Sequence, residues 1–258
     1  MFIPETGCGR TRLLAFGLLA LFGALATATP AQSADKRGAT WWLVQSHKAL
    51  ATIDNYTSLF HIQEKIGGKL TIPETMAIKF KKPYKVYMKW TEGPRQGTEL
   101  IFIKGWNGNR MRVRPSGIIG LFSYNISPTS SLAMKNNRHP VTHTGLEFLM
   151  EMITDNVRRG VLNHECILKD HGEGTIYGRK YHRFEGIFPK DAKLAKERNY
   201  YCYRAVVDMD MEYRVPVQVQ IFDWNDEVLE VYGYEKTRLD AKLTDKDFDP
   251  ANPEYRLK

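Results

Sequence analysis

The sequence predicts an α+β protein built on a large curved antiparallel sheet, an incomplete β-barrel whose concave face is covered by helices. Three observations support this prediction. Short runs of alternating apolar and polar residues recur on both sides of one amphipathic helical segment. The connections within each group of runs are mostly short, which favours antiparallel hairpins over crossovers. Aromatic residues make up 12% of the chain, and aromatic side chains favour strands.

Each element of the first half follows from a local pattern. Residues 40–53 carry apolar side chains at helical spacing and predict a first helix. Alternating runs punctuated by Gly and Pro predict the strands that follow. Their ranges are 55–65, 69–81, 84–90, 98–104 and 109–114.

The clearest helix lies between the two groups of strands, at 145–159. Thr144 and Glu147 have the spacing of a capping box before it, and Gly160 stands at the stop position. A second group of strands is predicted at 161–169, 175–187, 200–209, 214–223 and 227–236. The polar tail, residues 239–258, is expected to form a capped turn that covers the sheet edge.

Length and composition are those of an ordinary folded chain. The 258 residues are 43% hydrophobic and 26% charged, which argues against a disordered chain and against a polytopic membrane protein. No internal repeat and no Gly/Ser-rich linker occurs. We therefore expect one domain over residues 35–258.

The first 34 residues have the pattern of a secretory signal peptide. Arg10 and Arg12 precede an uncharged run at 13–28, and small residues follow up to Ala34. The run is shorter than the ~20 residues that span a bilayer, so an uncleaved anchor is the less favoured alternative. We expect cleavage near Ala34 and export to the periplasm. No lipid anchor is expected, because no cysteine follows directly after the apolar run.

Export would leave two cysteines, Cys166 and Cys202, since Cys8 lies in the leader. In an oxidising compartment such a pair is more often bridged than free, which predicts a Cys166–Cys202 disulfide. The alternative is a pair of buried thiols that behave as small hydrophobic side chains.

A sheet of this size with helices in its mouth can enclose an apolar cavity, where small hydrophobic ligands bind. Two predicted strands have one apolar face each, and the stripe of the central helix supplies a facing wall. The predicted ligand-binding residues are Val86, Met88, Trp90, Leu149, Ile153, Val217 and Val219. Whether the cavity is open or filled by the protein's own side chains is left undecided by the pattern.

Five stretches of the sequence carry a family resemblance. They are NYT at 55–57, KFKKPYKVYMKW at 79–90, NRHP at 137–140, YCYRA at 201–205 and LTDKDFDPANPEY at 243–255. Together they resemble a bacterial exported family, the domain of unknown function DUF1571. That family more distantly resembles the lipoprotein carrier LolA and the receptor LolB. The resemblance implies their fold, an incomplete antiparallel barrel with a helical lid over a cavity for lipoprotein acyl chains, and it transfers no functional residue.

No pattern points firmly to catalysis, a metal or a cofactor, and none of the three is expected. His139 and His143 have metal-ligand spacing, but Pro140 between them removes the helical geometry that this spacing needs. The polar cluster at 164–171 could suggest a thiol nucleophile or a zinc site, yet strand alternation would divide it between two faces. No phosphate-binding or dinucleotide motif occurs.

The sequence therefore favours a non-enzymatic periplasmic carrier or sensor that binds a lipid, an acyl chain or a lipidated protein. The alternative is an envelope module that binds a protein or a polysaccharide and fills the cavity with its own side chains. An unrecognised hydrolase is less favoured, and His139 would be its first residue to test.

A run of lysines interleaved with aromatic residues could contact anionic lipid head groups, or could simply be a solvated convex face. These lysines are Lys79, Lys81, Lys82, Lys85 and Lys89. In a cytosolic protein the run would suggest nucleic-acid binding, but export removes that partner.

Overall fold

The structure, a computed structural model, describes residues 38–258. The predicted signal peptide, residues 1–34, and its cleavage near Ala34 lie outside the described residues. The helices found in the described part are α1 (Ala39–Thr52), α2 (Ser131–Met134), α3 (Leu146–Leu162) and α4 (Ala192–Glu197). Its strands are β1 (Asn55–Ile66), β2 (Lys69–Leu70), β3 (Glu74–Lys81), β4 (Lys85–Glu92), β5 (Glu99–Ile103), β6 (Met111–Arg114), β7 (Tyr124–Ile126), β8 (Ile167–Ile176), β9 (Arg179–Ile187), β10 (Arg204–Asp210), β11 (Pro216–Phe222) and β12 (Val228–Leu239). Within residues 38–258, no helix combines the length and the apolarity needed to cross a membrane.

All twelve strands belong to one antiparallel sheet with the order β7-β6-β5-β4-β3-β1-β12-β11-β10-β9-β8, and β2 pairs with β1. Strands β3 to β7 and strands β8 to β12 are two meanders in which neighbours in sequence are neighbours in space. The two meanders meet where β1 pairs with β12, with Phe60 opposite Tyr234. Among residues 38–258 no strand pairs with the outer side of β7 or β8, so the sheet is open, and the predicted fold class is confirmed.

The helices cover one face of the sheet and form the main core with it. Helices α1 and α3 pack against each other, and the His47 imidazole lies 2.8 Å from the Thr154 hydroxyl across their contact. Their buried side chains are Trp42, Leu43, Leu50, Leu146, Leu149, Met150, Ile153 and Val157. The apolar stripe of α3 thus faces the sheet, as helical periodicity predicts.

The opposite face of the sheet has a smaller core of its own. The C-terminal segment, residues 241–258, packs over β4 and β5 and stacks Tyr255 on Tyr87 at 4.0 Å between ring centroids. Tyr87 is therefore buried although it alternates with lysines along β4. The tail covers the outer face of the sheet, whereas its sequence predicted a turn over the sheet edge.

The predicted capping box before the central helix is wrong. Gly145 occupies the N-cap position of α3, and no side chain caps the helix from there. The first helical amide is satisfied across the fold, since the Leu146 N–H donates to the Tyr56 hydroxyl at 3.1 Å. The backbone of Thr144 is likewise held by the Tyr84 hydroxyl, at 3.0 Å from its N–H and 2.8 Å from its carbonyl oxygen.

Gly160 does not end the central helix, which continues to Leu162. A Cβ atom on Gly160 would lie 2.5 Å from Cβ of Cys166 and 2.9 Å from the Phe188 ring, so glycine permits a close approach here. The chain reverses just afterwards at His164, where φ is +56°. The strand predicted at 161–169 therefore begins only at Ile167.

Other boundaries differ because turns interrupt the predicted strands. The strand predicted at 69–81 divides into β2 and β3. A turn at Tyr177 and Gly178, both with positive φ, separates β8 from β9 inside the strand predicted at 175–187. Helix α4 was not predicted, although Asp191 caps it by accepting from the N–H groups of Lys193 and Leu194.

The predicted disulfide is absent, because Cys166 and Cys202 are both free. Each cysteine is held by its own neighbours: the Cys166 N–H donates to the Gly160 carbonyl oxygen at 3.1 Å, and Cys202 Sγ accepts from Asn156 Nδ2 at 3.7 Å. Burial raises the pKa of Cys166 to about 11 and that of Cys202 to about 12. Both thiols pack as small hydrophobic side chains, the alternative that the sequence left open.

Candidate functional site

A mainly apolar pocket of about 90 Å³ lies between one end of the sheet and its helical cover. The sheet side of the pocket is lined by Phe60, Ile62, Met76, Met88, Trp90, Leu100, Met111, Tyr232 and Tyr234. The cover side is lined by Pro128, Ala133, Val141, Phe148, Leu149 and Met152. Strand alternation puts the first set on one face, and the 3.6-residue period of α3 puts Phe148, Leu149 and Met152 on another.

Methionine is prominent in this lining. Met76 and Met88 come from the neighbouring strands β3 and β4, Met111 comes from β6, and Met152 contributes from α3. Methionine side chains are unbranched and polarisable, and they fill irregular spaces without a fixed shape. Such a wall can change its shape at low energetic cost.

The seven residues predicted to bind a ligand are divided among different places. Met88, Trp90 and Leu149 line the pocket. Ile153 lies one turn further along α3, at a second cavity of about 20 Å³. Val217 lies at another small cavity beside Arg179 and Asp210. Val86 and Val219 are fully buried and line none of these three cavities.

A cluster of buried polar side chains borders the pocket, and the sequence analysis did not find it as a site. We call it the latch: Glu64 on β1, Glu230 on β12 and Tyr201 hold Arg138 and His139 of the segment that precedes α3. It fastens the covering segment, residues 127–145, to the middle of the sheet.

Glu230 is the centre of the latch. Its Oε1 atom accepts from Arg138 Nε at 2.5 Å and from the Tyr201 hydroxyl, and lies 3.2 Å from His139 Nε2. Burial by itself would raise the pKa of Glu230, but the bonds from His139, Tyr201 and Arg138 outweigh it and hold this pKa below its usual value. Glu230 is therefore a carboxylate that its partners keep charged.

The pKa of Glu64 is shifted in the opposite direction to that of Glu230. Its Oε2 atom accepts from the Arg138 backbone N–H at 2.8 Å, and Oε1 accepts from the Tyr232 hydroxyl at 2.7 Å. Burial raises the pKa of Glu64, and these two bonds offset only part of that rise. Two buried carboxylates with opposite shifts thus hold the same covering segment.

A sequence signal for these acids exists. Glu64 continues the alternation of Phe60 and Ile62 on β1, and Glu230 continues that of Tyr232 and Tyr234 on β12. A carboxylate on the apolar face of a strand must find a partner when it is buried. That signal points to the two acids, but not to Arg138 or Tyr201, which reach them from other parts of the chain.

The two histidines of the spaced pair act as pocket walls. Their ring centroids lie 6.1 Å apart, and His143 stacks on Phe148 at 4.2 Å. Burial lowers the pKa of His143, and the neighbouring His139 adds to the effect. In the described part of the chain, no group of three or more His, Cys, Asp and Glu side chains is arranged to hold a metal ion.

The predicted lipid-contacting lysines each have a partner within the chain. The pairs are Lys79 with Asp247 (2.8 Å), Lys81 with the Leu243 carbonyl oxygen (2.8 Å), Lys82 with Glu147 (2.8 Å), Lys85 with Asp245 (2.6 Å) and Lys89 with Glu99 (3.7 Å). Three of these partners belong to the C-terminal segment. The basic run of β3 and β4 therefore anchors the tail to the outer face, and is neither a bare solvated face nor an uncompensated charged patch.

The fold is similar to that of several solved structures of low sequence identity. A LolA superfamily protein from Nitrosomonas europaea is 11% identical with a TM-score of 0.33, over 82% of this chain and 97% of that one. The lipoprotein LppX from Mycobacterium tuberculosis is 14% identical with a TM-score of 0.44, over 76% and 92% of the two chains. A chain of the MucA/MucB complex from Pseudomonas aeruginosa is 14% identical with a TM-score of 0.44, over 81% of this chain and 59% of that one. No curated protein sequence matches this chain.

The family comparison is the more specific one. The model of the family described as protein of unknown function (DUF1571) matches residues 53–257. This range runs from just before β1 to the next-to-last residue, and includes every strand, the latch and the outer tail. The chain therefore belongs to the DUF1571 family, which the sequence stretches at 55–57, 79–90, 137–140, 201–205 and 243–255 had indicated.

Proposed function

We propose that this protein is a non-enzymatic carrier or sensor that binds an acyl chain, of a lipid or a lipidated protein, in the pocket under α3. The observation that supports the proposal best is the methionine-rich apolar pocket between the sheet and its helical cover. Burial of an acyl chain in such a site is favourable by ~0.8 kcal/mol per CH₂ group. The leader-like residues 1–34 support a periplasmic location.

Binding an acyl chain requires the pocket to enlarge. Its volume of about 90 Å³ is below the ~150 Å³ of an engineered apolar cavity that holds benzene. The covering segment is the part suited to move, because α2 has no buried residue and the segment is held by polar contacts, those of the latch and those of the Tyr84 hydroxyl. Helix α3, by contrast, is fixed by its buried apolar stripe.

A second candidate is an envelope module that binds a protein or a polysaccharide and keeps its pocket filled. The small volume of the pocket favours this candidate. The two candidates differ in one measurable property, which is whether an added apolar ligand enters the pocket.

The experiment is titration of the protein with a fluorescent fatty acid, comparing Leu149→Trp with Leu162→Trp. Leu149 lines the pocket, whereas Leu162 is exposed near the end of the same helix and is the matched control. We expect the wild type and the control to bind the probe. We expect Leu149→Trp to weaken binding at least about tenfold with little loss of thermal stability, because the indole fills the space that the ligand would take.

Two results would contradict the carrier proposal. One is a wild type that binds no probe and carries no extractable lipid when isolated from its own envelope. The other is equal probe binding by Leu149→Trp and the wild type. A loss of about 1–3 kcal/mol of stability in Leu149→Trp, together with no binding by the wild type, would favour the filled module.

A further inference from the structure

We infer that the β6–β7 edge of the sheet is a docking surface for an anionic lipid membrane. The surface contains the apolar rim, which we define as Leu121, Phe122, Tyr124 and Leu132. This inference goes beyond the proposed ligand pocket and does not depend on it.

The apolar rim consists of large side chains that are exposed in the described part of the chain. Leu121 is 68% exposed, Phe122 69%, Tyr124 43% and Leu132 68%. Two consecutive exposed apolar residues followed by an exposed aromatic residue are unusual on a soluble surface, where apolar side chains normally occur singly. Val161 and Leu162 are a second exposed pair, so the charge around the rim, and not exposure alone, must distinguish it.

Rim residues neighbour residues that line the pocket. Tyr124 on β7 pairs with Val113 on β6, and Met111 of β6 lines the pocket. Leu132 of α2 is followed by Ala133, which also lines it. A partner on the rim would touch the same covering segment that closes the pocket.

The charge around the rim selects the kind of partner. From residue 100 to residue 146 the chain contains no Asp or Glu. The same stretch contains six basic residues, namely Lys104, Arg110, Arg112, Arg114, Lys135 and Arg138. Exposed apolar residues within a stretch whose charged residues are all basic are typical of segments that bind anionic membrane interfaces.

Most of this charge is not cancelled within the protein. Arg112 Nε donates to the Leu257 carbonyl oxygen at 2.5 Å, and Arg114 donates to the carbonyl oxygens of Gly120 and Arg256 at 2.6 Å. Carbonyl groups orient a guanidinium without neutralising it. Within residues 38–258, the ion pairs of this stretch are those of Arg138 and His139 with Glu230, whereas four of the five lysines at 79–89 face carboxylates.

An anionic bilayer fits both properties of the rim. Its head groups attract the basic residues over about a Debye length, and its interface accepts leucine and phenylalanine side chains. Tyr124 suits the boundary between head groups and acyl chains, where aromatic side chains with a polar atom are enriched. A protein partner would need an acidic groove of matching shape, which makes it the competing outcome of the test.

The first experiment is flotation of the protein with vesicles. Vesicles of phosphatidylethanolamine and phosphatidylglycerol are compared with vesicles of phosphatidylcholine alone. Leu121→Ser/Phe122→Ser removes the rim, and Leu162→Ser/Ile167→Ser removes two equally exposed apolar residues at the far edge of the sheet. We expect the wild type and this control to float with the anionic vesicles, and the rim variant to float at least about tenfold less.

The second experiment measures contact at the rim itself. The protein has five tryptophans of its own, so quenching by brominated lipids in anionic vesicles is measured as the change from the wild type. This change should be an increase in Phe122→Trp and should be absent in Ile167→Trp. Membrane binding through residues 13–28 is common to all three proteins and cancels in the difference. Raising the salt concentration should reduce the quenching, since the attraction is partly electrostatic.

Three outcomes would overturn the inference. They are equal flotation of the rim variant and the wild type, equal binding to anionic and neutral vesicles, and no more quenching in Phe122→Trp than in the wild type. If the rim variant instead loses only a protein that co-purifies with the wild type, the rim is a protein-binding site. A pocket that binds no fatty acid would leave the inference standing, because the vesicle experiments do not use the pocket.

Discussion

Replacing Arg138 by methionine should destabilise the protein strongly, because it removes the main cationic partner of a fully buried carboxylate. Glu230 is 0% exposed at its side chain, whereas that of Arg138 is 29% exposed. Removing one partner of a buried ion pair costs about 3–5 kcal/mol. Tyr201 and His139 still bind Glu230 in the variant, so we expect about 3 kcal/mol, or a fall in Tm of roughly 6–12 °C.

The assay is urea denaturation at neutral pH, followed by circular dichroism. Lys85→Met is the matched control, because it also removes a cation but its partner Asp245 is 79% exposed. We expect this control to cost less than about 1 kcal/mol. The double variant Arg138→Met/Glu230→Gln should be more stable than Arg138→Met alone, because no unpaired carboxylate remains.

The Arg138–Glu230 ion pair also predicts that the stability of the protein depends on pH. The latch lowers the pKa of Glu230 in the folded protein, so its stabilising contribution is present above about pH 4.3, the ordinary value for glutamate. That contribution disappears as the pH falls further towards the folded-state pKa. The stability difference between the wild type and Arg138→Met should therefore shrink under acidic conditions. A difference no larger than that of Lys85→Met at neutral pH, or additive effects in the double variant, would refute the reasoning.

Three further predictions concern packing and thiol reactivity. Gly160→Ala should lower stability by about 1–3 kcal/mol despite its better helix propensity, because the new methyl group would meet Cys166 at 2.5 Å; a raised Tm would contradict this. Phe248→Ala should cost about 3–5 kcal/mol in urea denaturation, since Phe248 is 1% exposed in the outer core, and a near-neutral effect would show that the tail is dispensable. Cys166 should be alkylated faster than Cys202 in the folded protein, because Cys166 is half-buried whereas Cys202 is buried; mass spectrometry of modified peptides measures the order, and equal rates would refute it.

The sequence predicted well those features that depend on one chain segment and one buried face. Strand β4 was predicted at 84–90 and lies at Lys85–Glu92, with Val86, Met88 and Trp90 on the covered face. Alternation does not say how far along a strand the helical cover reaches. For that reason Met88 lies at the pocket, whereas Val219 shares the same face but lies in packed core.

The features that the sequence did not predict depend on partners distant in the chain. Thr144 and Glu147 have the residues of a local cap, but the hydroxyls of Tyr56 and Tyr84 satisfy the helix start from the sheet. Similarly, no residue near Glu230 in the sequence indicates that its partner is Arg138, which lies 92 positions away. Local patterns are overridden where tertiary hydrogen bonds offer a better partner.

The pairing of β1 with β12 has a consequence for how the chain acquires its structure. Both meanders contain mostly contacts between sequence neighbours, but the pair that joins them brings together residues 55–66 and 228–239. The pairing of β1 with β12 closes a long loop and can occur only when the last strand is present. The conformational entropy lost on closing this loop makes the pairing slow relative to hairpin formation. Until then β1 and β11 each present a free edge to any other strand. A chain cut before β12 should therefore be prone to aggregate, even though eleven of its twelve strands are intact.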